Sequence, residues 1–341
     1  MREEVSHHHF TVKDLDSGQE VRWCPACGDY AILKQVKNIL PELGYSQENI
    51  VFISGIGCSS RFPYYMETYG FHSIHGRAPT LATGLKVTRP ELSVWVITGD
   101  GDALAIGGNH FLHVMRRNPD INILLFNNQI YGLTKGQVSP TSPVDQHTPT
   151  TPRGSIDRPL APLAVALGAG ATFAARTIDR LQNHMADTFR AADRHRGTAL
   201  VEIYQHCVVF NDEAFQAIYD KNTREENIVL LEAGQPLFFG KNNEKAICLE
   251  EGKPRVVARN DCETGRLWIH DPTDIGKALL LARFEDPAFQ ESTGSELPTP
   301  VGVLYQKEQT PYEVSIHGQL SRPYGPVTAE TLERLMFPKK T

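Results

Sequence analysis

The sequence predicts an α/β fold with a doubly wound, mostly parallel sheet. Three observations carry this. The segments NIVFISG (49–55), SVWVITG (93–99) and INILLFN (121–127) are near-continuous apolar runs, the form taken by strands covered on both faces. Helix-period segments separate them, and the same alternation resumes after residue 160. At 341 residues, with 40% hydrophobic and 22% charged residues, the chain can fill one large α/β domain or two smaller ones. Such a composition excludes wholesale disorder.

The elements follow in order. MREEVSHHHF is a polar arm, charged where a signal peptide would need an apolar core, and His7, His8 and His9 read as native and solvated. In VRWCPACGDYAILKQVKNIL, Pro25 and Gly28 break the backbone around two cysteines. The spacing of Ile32, Leu33, Val36, Ile39 and Leu40 then gives an amphipathic helix. Strand 49–55 runs into the loop GIGCSS. Strand 93–99 is followed by a helix over roughly 103–117 and by strand 121–127. Residues 134–158 are proline-rich and aperiodic, a long loop of the kind that usually serves function. PLAPLAVALGA, ATFAAR, DRLQNHMADTFRAADRH and ALVEIYQH supply helix, strand, helix and strand, completing a domain over 1–210. Residues 211–341 are more polar, with the short apolar pieces IVLLEAG, PLFFG and PRVVARN. They read as an extension that packs on the core or on a partner subunit.

A net charge of −6 and a pI near 6.1 argue against nucleic acid as the main partner. No run of about 18 apolar residues is present to span a bilayer, so a soluble, cytoplasmic protein is expected. A reducing compartment disfavours disulfides. Cys24 and Cys27 form a C-x-x-C and Cys58 stands in a Gly-rich loop. Cys207, Cys248 and Cys262 are scattered, which points to one site plus spectators. Cys248 and Cys262 have no partner at short spacing and are expected to be ordinary reduced thiols.

The most informative pair is Gly99-Asp100-Gly101 and Asn127-Asn128. Each ends a predicted parallel strand, and the helix between them makes a right-handed crossover. Both strand ends therefore fall side by side on the ligand-binding edge of the sheet. One carboxylate and one amide oxygen there suit a hard cation such as Mg²⁺, with phosphate oxygens completing its shell. Gly99 and Gly101 let the backbone approach a pyrophosphate closely.

This spacing resembles the thiamine diphosphate-binding motif, in which GDG is followed some 25 residues later by NN. The resemblance implies Asp100, Asn128 and the backbone carbonyl of Ile130 as Mg²⁺ ligands. WCPACGD (23–29), GIGCSS (55–60), HGRA (75–78), GDGDALAIGGNH (99–110) and NNQIYGLTKGQVSPT (127–141) occur in the order found in one group. Over residues 20–210 the chain looks like a β subunit of the 2-oxoacid:ferredoxin oxidoreductases.

That resemblance implies a [4Fe–4S] cluster on Cys24, Cys27, Cys58 and Cys207, the usual all-thiolate set. A structural Cys₄ zinc site, as in a non-catalytic binding module, is the competing reading of the same residues. It further implies thiamine contacts from Ile56, Gly57, Cys58, Ser59 and His75. Diphosphate contacts would come from Gly101, Asp102, Gly132 and Leu133. His72, His110 and His113 stay surface or helix histidines, and Asn109 with Gly107-Gly108 serves packing. Ala26 departs from the glycine more usual between the cysteines, and is expected to be harmless. The implied reaction joins a 2-oxoacid and coenzyme A to give acyl-CoA, CO₂ and reduced ferredoxin. No glutamate here matches the one that activates the aminopyrimidine of thiamine. An α (or fused γα) subunit is therefore the implied partner. YGLTKGQVSPT is closer to the 2-oxoglutarate branch, with a pyruvate or broad-specificity enzyme as the alternative. In that branch Arg61 and Lys135 lie near the substrate, where an Arg can hold a distal carboxylate through two parallel bonds.

Overall fold

The computed structural model describes residues 10–321 and 328–337; His7, His8 and His9 lie outside them. The three apolar runs are strands β1 (Ile50–Ser54), β3 (Ser93–Gly99) and β4 (Asn122–Asn127), and Tyr69–His72 adds the edge strand β2. Further on come β5 (Phe173–Ile178), β6 (Ala199–Tyr204), β7 (Ile228–Leu231) and three strands of a separate antiparallel sheet. These are β8 (Phe238–Phe239), β9 (Lys245–Glu250) and β10 (Lys253–Ala258). The last strand, β11 (Thr299–Gln306), returns to the main sheet, whose order is β2-β1-β3-β4-β6-β5-β11-β7. All pairings are parallel except β11 with β5. The region after residue 210 thus contributes β7 and β11 to the sheet as well as packing beside it.

Strand residues alternate between two cores. Val94 and Val96 face one, with Ile123, Leu125 and Leu200. Trp95 and Ile97 face the other, with Leu124, Phe126 and Val201. This period of two, apolar on both faces, is why the runs look continuous in the sequence. Helix α1 (Asp29–Ile39) buries Ile32, Leu33, Val36 and Ile39 against the second core. Helix α2 (Ala78–Thr88) covers the first.

Two expectations are corrected. The helix expected over 103–117 is two helices, α3 (Asp100–Leu104) and α4 (Gly108–Arg117). The chain breaks at Gly107, where a Cβ would lie 2.3 Å from the Asp102 carbonyl and 3.0 Å from Gly76 Cα. The break lets the 73–76 turn reach the start of α3. Cys248 and Cys262 are not separate thiols. They form a disulfide, with Cα atoms 6.2 Å apart and a sequence separation of 14. Cys248 sits on β9, and the loop beyond β10 folds back so that Leu267 bridges to Cys248, a tertiary return that spacing alone does not reveal.

Candidate active site

The carboxyl ends of β1, β3, β4 and β6 converge on one cavity of about 120 Å³. Ile56, Gly57, Cys58, Ser59, His75, Asp100, Gly101, Asp102, Asn128, Ile130, Gly132 and Leu133 all border it. A larger open depression of about 820 Å³ lies among Arg224, Phe238 and Arg259. It contains none of the motif residues, and the Arg259 guanidinium is stacked 4.1 Å over the Phe238 ring.

Asp100 is the anionic centre. It is 2% exposed, and Ser139 Oγ (2.5 Å) and Thr141 Oγ1 (2.6 Å) both donate to its Oδ2. Burial outweighs these bonds and pushes its pKa up to about 6. A buried carboxylate held by two hydroxyls but facing no basic side chain is what a cation ligand looks like before the cation is considered. Beside it, Asn128 Oδ1 accepts from the Ile130 N–H at 3.1 Å, a turn that fixes the amide and keeps a second lone pair. Close packing of Tyr131 excludes any side chain at Gly101, where a Cβ would lie 2.2 Å from the ring. The Tyr131 hydroxyl also donates to the Gly101 carbonyl at 3.1 Å.

Asp102 was expected against the diphosphate, yet its carboxylate is fully engaged by protein. It is 2% exposed. It accepts from the Ile56 N–H (3.0 Å), the Gly76 N–H (2.8 Å) and Thr98 Oγ1 (2.7 Å). His75 Nδ1 lies 2.6 Å from Asp102 Oδ1, a close polar contact. One carboxylate therefore ties two loops to the end of β3 and orients His75.

Of the four cysteines expected to act together, Cys58 borders the cavity, and Cys24, Cys27 and Cys207 are near enough to bear on the charge of Cys58 or of one another. Cys24 is exposed, and Cys27, Cys58 and Cys207 are half-buried. The Gly28 N–H donates to the His206 carbonyl at 3.1 Å, joining the C-x-x-C loop to the chain leaving β6. Trp23 Nε1 donates to the Cys58 carbonyl at 2.7 Å. A Cβ at Gly132 would lie 3.4 Å from Cys207 Sγ and 3.6 Å from Cys58 Sγ. Two of the sulfurs thus flank a residue that also walls the cavity. Burial, with the neighbouring Asp29 and thiols, pushes the Cys58 pKa up to about 12 and raises Cys27 further. Thiolates here need a cation to exist. Among the described residues, no three His, Cys, Asp or Glu side chains come close enough to share a single metal ion.

Sequence reasoning passed over Asp29, Ser139, Thr141 and Gln205. Asp29 is 1% exposed and borders the cavity. Neither of its oxygens meets a well-aligned partner, and burial, then Asp179, raises its pKa to about 7. Its place just after C-x-x-C-G was the available signal. Ala26 has φ 63°, the left-handed region where glycine is favoured. The glycine usual at that position has a conformational reason, contrary to the expectation that Ala26 is harmless. Arg61 Nε donates to the Tyr65 hydroxyl at 2.9 Å, and Lys135 occupies a turn with φ 75°. Neither borders the cavity.

Comparison with known proteins settles the relationship. "2-oxoglutarate oxidoreductase subunit KorB" of Mycobacterium tuberculosis is 48% identical over 333 residues, 96% of this chain and 87% of that one. The chain belongs to the β subunits of the 2-oxoacid:ferredoxin oxidoreductases. The description "Thiamine pyrophosphate enzyme, C-terminal TPP binding domain" matches residues 55–203, the stretch that carries the cavity. A "2-oxoacid:ferredoxin oxidoreductase 2, subunit beta" from Aeropyrum pernix is 44% identical over 56% of this β subunit and 62% of its own length. Among solved structures, a chain of the 2-oxoglutarate:ferredoxin oxidoreductase from Magnetococcus marinus, with 2-oxoglutarate, coenzyme A and succinyl-CoA bound, is similar. It superposes with a TM-score of 0.74 at 32% identity, covering 98% of both chains. No described helix is long and apolar enough to cross a membrane.

Proposed function

We propose that this β subunit holds Mg²⁺–thiamine diphosphate and a [4Fe–4S] cluster at adjoining sites. With an α (or fused γα) subunit it would oxidise 2-oxoglutarate and coenzyme A to succinyl-CoA and CO₂, passing electrons to ferredoxin. The observation that carries this reading is the shared wall: Cys58 and Gly132 border both the GDG/NN cavity and the cysteine site. When bound, thiamine diphosphate supplies the electron sink for decarboxylation, and the cluster a one-electron relay.

The chain's own residues have separate tasks. Asp100 and Asn128, with the Ile130 carbonyl, would hold the metal, and Ser139 and Thr141 fix the Asp100 rotamer. Gly101 leaves the backbone bare for the diphosphate, and the 54–57 and 73–76 loops close around the thiamine end through Asp102. Cys24, Cys27, Cys58 and Cys207 would supply the cluster thiolates. Four thiolates beside a carbanion-forming cofactor suit an electron-relaying cubane better than a structural zinc. At about 120 Å³ the cavity falls well short of the roughly 300–1,000 Å³ of a small-molecule pocket. A partner surface that closes it, and brings the activating glutamate, accounts for the shortfall. Arg61, 2.9 Å from the Tyr65 hydroxyl, and Lys135 in its positive-φ turn are the cations offered to the distal carboxylate of 2-oxoglutarate. The similarity to relatives that are named for 2-oxoglutarate supports that substrate over pyruvate.

The test is protein co-produced with its partner and purified without air. The expected preparation is brown, absorbs near 400 nm and contains about four irons and four sulfides per β subunit, with bound thiamine diphosphate. A colourless zinc protein, or a wild-type preference for pyruvate, would overturn the cluster or the substrate assignment respectively.

A further inference from the structure

Gln205 is the first residue beyond β6, 1% exposed, and its amide reaches both sites. Asn128 Nδ2 donates to Gln205 Oε1 at 2.8 Å. Gln205 Nε2 donates to the His206 carbonyl at 2.7 Å and to Cys27 Sγ at 3.2 Å. Side-chain amides can be placed either way round, but here the backbone fixes every link. The Ile130 N–H can only donate, so the Asn128 oxygen faces it and the Asn128 NH₂ faces Gln205. The His206 carbonyl can only accept, so the Gln205 NH₂ faces it and, with its other hydrogen, the sulfur. The chain Ile130, Asn128, Gln205, Cys27 therefore runs in one direction, and it leaves the second lone pair of Asn128 Oδ1 free.

We infer that Gln205 is a positioning residue that couples the two cofactor sites. It holds Asn128 in the rotamer that presents Oδ1 to the metal of thiamine diphosphate, and it gives an N–H···S bond to the Cys27 cluster thiolate. Hydrogen bonds to cluster sulfurs withdraw charge and raise the reduction potential. The same amide that steadies the electron donor's anchor thus eases the acceptor's reduction. This inference rests on the cluster and metal reading above.

Two variants in the co-produced holoenzyme test it. Gln205→Met keeps the volume and removes both links. Gln205→Glu keeps an oxygen for Asn128 and removes the N–H donors to the sulfur and to the His206 carbonyl. The expected result for Gln205→Met is full iron and sulfide, a cluster potential lowered in an EPR-monitored titration, and Mg²⁺ affinity for cofactor loading weakened about tenfold, as for other groups that orient metal ligands. Gln205→Glu should lower the potential as well, with Mg²⁺ affinity closer to wild type. An unchanged potential in an iron-replete variant overturns the inference. Loss of iron from both variants with unchanged circular dichroism also overturns it, because the residue would then serve assembly. Wild-type protein without iron would instead refute the cluster reading, an outcome seen before any variant is made.

Discussion

The two edges of the main sheet are built from the same strands and treat charge in opposite ways. At the amino edge, polar groups are paired within the chain. Lys86 Nζ donates to the Leu92 carbonyl at 2.8 Å and lies 3.3 Å from Asp120. The Asp120 N–H meets Glu313 at 3.3 Å. Asn118 Oδ1 accepts from Thr172 and from the Thr198 N–H. At the carboxyl edge, Asp29 and Asp179 keep buried oxygens without a well-aligned hydrogen bond, and the Asp179 oxygen concerned makes a long 4.0 Å contact to Arg180. Asp100 has hydroxyls but no basic side chain, and two thiols are pushed far from ionisation by burial. One edge pairs most of its charge within the chain. The other is left incomplete, at a cost in stability that bound cations and cofactor would offset.

Replacement of a cysteine proposed to hold the cluster should produce the largest effect. Cys58→Ser or Cys207→Ser is expected to lose most of the iron, whereas Cys248→Ser keeps it, as measured by iron and sulfide content. Iron lost from Cys248→Ser but retained in Cys207→Ser would reassign the fourth ligand.

A pair of substitutions then sets one edge against the other. Asp100→Asn removes the anionic metal ligand. If this resembles breaking a buried ion pair, cofactor binding weakens by about 3–5 kcal/mol, two or more orders of magnitude, while the cofactor-free protein melts no lower. Lys86→Met should do the reverse, lowering stability by about 3 kcal/mol with calorimetric cofactor affinity unchanged. If Asp100→Asn destabilised the cofactor-free fold as much as Lys86→Met does, the contrast between the edges would fail.

The amino edge has one weak point, Asp193, whose pKa burial raises to about 6. Because the folded state holds this proton longer than the unfolded chain, its contribution is most favourable below about pH 4 and is lost as pH rises through 6. Asp193→Asn should therefore exceed wild type by about 1–2 kcal/mol in urea unfolding at pH 8, and by progressively less towards pH 5. A constant difference across that range would show that the carboxyl is not titrating.

The smallest effect expected is at Ala26. Ala26→Gly relieves a φ of 63° and should stabilise the cysteine loop by about 1 kcal/mol or less. Slower loss of the 400 nm absorbance in the presence of a chelator would report it.

Legibility in the sequence followed the same division. Strands buried on both faces announced themselves as apolar runs, and motif residues at their carboxyl ends could be placed because parallel crossovers have one hand. Thr299–Gln306 was missed because its neighbours in the sheet are far away in the chain and nothing local marks it as a central strand. Ser139 and Thr141 sit in an aperiodic loop, so their approach to Asp100 has no period to betray it. The Cys248–Cys262 pairing depends on a loop folding back on a small sheet. The engagement of Asp102 by two loops and the end of β3 is likewise a tertiary fact. Spacing located it beside the diphosphate motif but did not say which way its carboxylate was committed.

The position of β11 has a consequence for how the protein is made. This strand pairs with β5, through Gly302 and Arg176 among others, and with β7. During synthesis β5 therefore waits, its outer edge open, until more than a hundred further residues have emerged. Contacts this distant close slowly, and an open apolar strand edge invites the wrong neighbour. The cysteines and the GDG/NN cavity all lie on chain made before that strand arrives. Nascent protein thus passes through a stage in which the residues around the cavity already exist on an unfinished sheet.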